Sequence, residues 1–137
     1  MDNRLFLVGV ALYWAEGYKK GAYGSGWKSV DFANSDTEII RLMMVFFRKI
    51  CKVKDSKIKI QVIAHKNVKI EGAVKFWSNI TNIPRNQFIK TQCSVNKKSK
   101  RKGNTLPNST MHIRINDVKL FFRIIGWIQY LKKLKKL

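Results

Sequence analysis

Eleven apolar or small residues run almost unbroken from Leu5 to Ala15, and the run stops on a carboxylate, Glu16, followed by Gly17. A membrane span needs about 20 such residues, so this segment is too short to cross a bilayer. A secretory leader is also a poor fit, because Arg4 is balanced by Asp2 in front of the run and no cleavage-like site follows it. What is left is a helix over roughly 4–17, capped by Asn3 and closed by Gly17.

The rest of the chain alternates between two hydrophobic periods. The Gly-rich stretch GYKKGAYGSGW reads as a turn or hairpin between short strands, and KSVDFANS as a strand with Val30 and Phe32 on one face. Ser35 opens SDTE with Glu38 three residues on, the capping-box pattern, ahead of an amphipathic helix running to about residue 51. KIKIQVIAH alternates with Ile58, Ile60, Val62 and Ala64 inward and Lys59, Gln61, Ile63 and His65 outward. A third helix follows Asn67 and stops before Pro84. FIKTQCSV and TMHIRI read as further strands, and a last helix starts near Asn116. The order α-β-β-α-β-α-β-β-α predicts an α+β fold, a mostly antiparallel sheet covered by helices on one side. The 137 residues fit one domain, 1–137, carrying a basic loop at 97–108.

Charge narrows the partner. The net charge is +20, but residues 1–50 hold 7 basic and 5 acidic groups, whereas residues 51–137 hold 21 and 3. A field that positive attracts polyanions. The outward positions Lys59, Gln61, His65, Lys90, Gln92, His112 and Arg114 are the side chains that read base edges and hold phosphates. Alternation alone fits a solvated sheet face equally well; the charge of the second half tips it toward nucleic acid. Lys97, Lys98, Lys100, Arg101 and Lys102 form a flanking basic tract suited to phosphates. The alternative anionic partner is a membrane surface, met by Lys132, Lys133, Lys135 and Lys136 on the last helix, but that reading leaves the outward strand residues unexplained and no membrane partner is expected. Cys51 and Cys93 lack metal or redox spacing and read as reduced, buried thiols, and His65 and His112 are isolated, so no zinc site is expected.

GVALYWAEG, residues 9–17, resembles the signature helix of the LAGLIDADG homing endonucleases. Leu12, Ala15 and Gly17 match directly, Ala11 stands where the family has a small glycine, and Glu16 stands at its catalytic acidic position, usually an aspartate. Gly9, Val10, Tyr13 and Trp14 depart from the pattern, Trp14 replacing an acidic residue. FANSDTEIIRLMMVF is similar to the strand-to-helix step that follows the motif, and a weaker likeness continues through FWSNITNIP and RIIGWI.

The resemblance implies that two such helices pack together through small residues, here Ala11, Leu12 and Ala15, and bring two carboxylates beside scissile phosphates. One motif per chain then implies a homodimer and a long, near-palindromic double-stranded DNA site. Glu16 would be catalytic and would hold a divalent cation, Mg2+, which also relieves the unfavourable position of a carboxylate at a helix C-terminus. The family's assisting basic residue has candidates in Lys19, Lys20, Lys97 and Lys98. The expected activity is metal-dependent hydrolysis of DNA phosphodiester bonds. The alternative is a non-cleaving DNA-binding regulator or an RNA-splicing maturase of the same fold, opened by the glutamate and by Trp14. Either protein is expected where its nucleic acid lies, in the cytoplasm or an organelle, and not secreted.

Overall fold

The computed structural model describes residues 3–24, 26–65, 68–90, 92–94 and 109–136, with His65 and 92–94 described by their backbone alone. The first helix, α1 (Asn3–Glu16), leads through a 3-10 turn at Lys20–Tyr23 to β1 (Val30–Asn34). Then come α2 (Thr37–Val45), β2 (Ile58–His65), α3 (Ile70–Thr81), β3 (Gln92–Ser94), β4 (Thr110–Ile115) and α4 (Val118–Lys132). The sheet order is β1-β4-β2-β3, with β4 antiparallel to both of its neighbours and β3 parallel to β2. The protein is α+β, with a mostly antiparallel sheet.

Register explains the core. Val30, Ile115 and Ile58 lie abreast across three strands, followed by Phe32, Ile113 and Ile60. All six are buried, as the period-2 pattern requires of one sheet face. The helices close over this face: Val10 and Tyr13 from α1, Ile40, Met43 and Met44 from α2, Trp77 from α3, and Leu120, Phe121, Ile124 and Ile128 from α4 join the same cluster. Each such side chain contributes roughly 1.5–3 kcal/mol by leaving water.

Several sequence expectations need correction. The Gly-rich stretch forms no hairpin of strands among the described residues; only Gly17 pairs, in an isolated antiparallel bridge to Phe32. The cap of α2 is Asp36, not Ser35: its Oδ1 accepts from the N–H groups of Glu38 and Ile39, while Asn34 Oδ1 accepts from Ser35 and Asp36. Three adjacent residues could each cap, and the turn held by Asn34 selects the last. The helix to residue 51 also changes type, passing into a π-helical turn at Phe46–Ile50 closed by Cys51 N–H to Phe46 O. That wider turn buries two consecutive aromatics, Phe46 and Phe47. The expected strand FIKTQCSV is only three residues long where described, and it is parallel. Cys51 is buried as expected, and Cys93 offers no described side chain. Among the described residues no helix is long and apolar enough to cross a membrane.

Candidate nucleic-acid interface and acidic helix end

The end of α1 is set from inside. Tyr13 is fully buried, and its hydroxyl donates to the carbonyl of Tyr18 at 2.7 Å, tying down the turn that follows Glu16. Burial pushes the Tyr13 hydroxyl well above the usual tyrosine range, only partly offset by the hydrogen bond from the Asp31 backbone, so it stays a neutral donor. Gly17 lies against the same ring. A Cβ there would meet the Tyr13 ring and carbonyl at 2.6 Å, so close approach, not a left-handed backbone, requires glycine. Gly17 N–H closes on Tyr13 O at 2.7 Å, and Tyr18 N–H donates to Asp31 O at 2.9 Å, laying the chain along edge strand β1.

Glu16 is exposed at this helix end, and its carboxylate makes no hydrogen bond or salt bridge with the described residues. Lys19 is its cationic neighbour. The ammonium donates to Gly17 O at 2.7 Å, compensating the negative helix terminus. Partial burial lowers the Lys19 pKa, and Glu16 pulls in the opposite direction. Among the described residues no three His, Cys, Asp or Glu side chains come together as a metal-binding group.

The side of α1 turned away from the core is apolar. Leu7, Val8, Ala11, Trp14 and Ala15 are exposed, at the spacings that share one helix face. On the opposite side Gly9 meets Phe46, whose ring would lie 2.1 Å from any Cβ. Ala11 and Ala15 stand on this exposed side, whereas Leu12 is half-buried and packs against the core of its own chain. Trp14 carries Lys132 over its ring, 5.9 Å from the centroid.

The outer face of the sheet is the second surface. Across the strands Asp31, Arg114 and Lys59 lie abreast, followed by Ala33, His112 and Gln61. Asp31 organises it. One carboxylate oxygen is 2.7 Å from His112 Nδ1 and the other accepts from Arg114 Nε at 2.8 Å. The Arg114 guanidinium also lies 5.7 Å from the centre of the Trp27 ring, which packs on Tyr18. Lys59 is half-buried and Lys90 exposed; neither makes a salt bridge with the described residues. Gln61 corrects the expectation of an outward base reader. It is 3% exposed, and its Nε2 donates to Lys90 O at 3.0 Å, because the segment bridging Ile60 to Phe88 runs beside it.

The side chains of His65 and Gln92, and the tract with Lys97, Lys98, Lys100, Arg101 and Lys102, lie outside the described residues. Sequence reasoning missed Asp31, Tyr13 and Trp27. Asp31 carried a signal, being the one acid in the described strands and alternating with Val30 and Phe32 toward the outer face. No protein family, curated protein or solved structure matches the chain, and its functional reading rests on these residues.

Proposed function

We propose that the protein is a homodimeric, metal-dependent DNA endonuclease of the LAGLIDADG type. The observation that supports this most is Glu16, an exposed carboxylate at the end of an apolar helix whose bare side presents Ala11 and Ala15. Two copies joined along that side would bring two Glu16 carboxylates together. Small residues permit the approach, and the exposed Leu7 and Val8 give it apolar area to bury.

The outer sheet face would hold a long duplex site, with Lys59, Lys90 and Arg114 supplying donors to phosphates and base edges and His112 a ring nitrogen. Glu16 from each chain would anchor Mg2+, which neutralises charge on the phosphate and activates water when bound. Lys19, anchored beside Glu16, would stabilise negative charge on the leaving oxygen. A twofold protein reads a near-palindromic sequence.

The test is incubation with a random-sequence plasmid library and magnesium, scoring linear product. Wild type is expected to linearise a subset of plasmids and Glu16→Gln none. Retention of library members without linear product, by both proteins alike, would favour a second reading, the non-cleaving DNA-binding or RNA-splicing relative. Trp14 favours that reading, since it fills the position of an acidic residue in the motif and lies under Lys132.

A further inference from the structure

We propose that Asp31 is a positioning residue that fixes Arg114 and His112 as a preset pair of base-reading side chains; this rests on the DNA-binding reading above. An acid on a surface meant for DNA is at first sight a liability, because it repels phosphates. Its geometry argues for another role. Asp31 is only 7% exposed, so it is not itself presented to a ligand. Its two oxygens engage the inner donors of two longer side chains, Nε of Arg114 and Nδ1 of His112.

The outer nitrogens are left over. With Nε held, the two terminal amino groups of Arg114 make no hydrogen bond among the described residues. These are atoms that can form a bidentate contact to guanine O6 and N7. With Nδ1 held, His112 presents Nε2 as its remaining ring nitrogen. The second constraint on Arg114 comes from Trp27, over which the guanidinium lies. An arginine held by a buried carboxylate on one edge and an indole on one face loses little further freedom on binding. Lys59, abreast of it on β2, has neither constraint. Arg114 and His112 are therefore assigned the sequence choice, and Lys59 a phosphate.

The experiment compares wild type, Asp31→Asn, Arg114→Ala and the double variant. Affinities are measured for a duplex selected by wild type, for its single-base variants and for unrelated duplex. Simple removal of an acid should tighten all duplexes alike. Positioning predicts the opposite split: Asp31→Asn tightens or keeps unrelated duplex while losing about tenfold or more discrimination at one base pair. That base pair should be the one at which Arg114→Ala loses its choice, and Asp31→Asn should add nothing in the Arg114→Ala background. Uniform tightening with discrimination intact overturns the proposal.

A readout on the free protein separates this from failure of the DNA reading. The Arg114 Nε–H resonance should be slowly exchanging in wild type and lost in Asp31→Asn, with folding checked by the backbone spectrum. If that resonance behaves as stated but wild type binds no duplex, the DNA reading fails and the assignment to base choice falls with it. If wild type binds selectively but the resonance is already fast, Asp31 does not position Arg114. Should Asp31→Asn fail to fold, Trp27→Leu removes the other constraint at an exposed residue and must reduce discrimination at the same base pair, or the proposal is wrong.

Discussion

Among the described residues, the outward side of α1 and the outer face of the sheet are chemical opposites. The outward side of α1 is apolar and small-residued, with one carboxylate at its end and a lysine bound beside it. The outer face of the sheet is polar, and its Arg114 and His112 are arranged around a single buried carboxylate. The first suits another protein surface and the second suits an anion. In both, the acid matters through what surrounds it: Glu16 is exposed and lacks a hydrogen-bond partner among the described residues, while Asp31 is buried and doubly engaged. The same functional group can therefore be available for chemistry or consumed by architecture, and sequence position alone does not distinguish them.

The largest effect expected is on Glu16. Its replacement by glutamine should lower cleavage by more than about a hundredfold, the scale of removing an electrostatic group aimed at developing charge. Duplex affinity, measured by titration, should stay unchanged or rise slightly. Normal cleavage by that variant would break the contrast, because Glu16 would then be an ordinary exposed residue.

Two substitutions sharpen the division between the inner and outer sides of α1. Gly9→Ala places a methyl group into the Phe46 ring, and overpacking there should destabilise the monomer by about 1–3 kcal/mol in a denaturant titration. Ala15→Leu adds a larger group on the bare side. It should leave monomer stability nearly unchanged and weaken association by about 1–3 kcal/mol, seen as a shift toward monomer on sedimentation. A wild type that is monomeric at tens of micromolar without DNA would remove the preformed dimer.

Smaller effects belong to the sheet. Lys59→Gln should reduce the salt dependence of duplex binding by about one unit in the log–log slope while leaving base choice alone. Gln61→Ala should not alter base choice either, since its amide is held by the Lys90 carbonyl. Smallest of all is the thiol of Cys51, pushed up to about 12 by burial despite the nearby Arg123. It should resist alkylation at pH 8 in the folded protein and react on unfolding, as peptide mapping would show.

Periodicity in the chain was enough to find four helices and the inward faces of β1, β2 and β4, because burial of one face imposes a period of two or 3.6. It failed where structure depends on long-range register. Asp31 meets His112 and Arg114 across more than eighty residues, and no local pattern records that pairing. Gln61 obeyed the alternation and still became buried, since a neighbouring segment covers the outer face at that point. The cap of α2 was missed by one residue because Asn34, Ser35 and Asp36 are all competent acceptors. Of the candidate site, the helix ending on Glu16 and the shared face of Ala11 and Ala15 were legible, while the anchoring of the helix end by Tyr13 was not.

That anchor has a consequence for motion. Gly17 and Tyr18 lie at the surface end of a helix, where amide protons ordinarily exchange through local fraying. Here the Gly17 amide is bonded to the carbonyl of the fully buried Tyr13, and the Tyr18 amide to the backbone of β1. Opening the Tyr18 amide requires parting it from the edge of the sheet, and the buried Tyr13 hydroxyl holds the Tyr18 carbonyl of the same turn. Exchange of these two amides should therefore be slower than that of Lys20–Tyr23. An exposed carboxylate would thus be carried on a helix end that resists fraying.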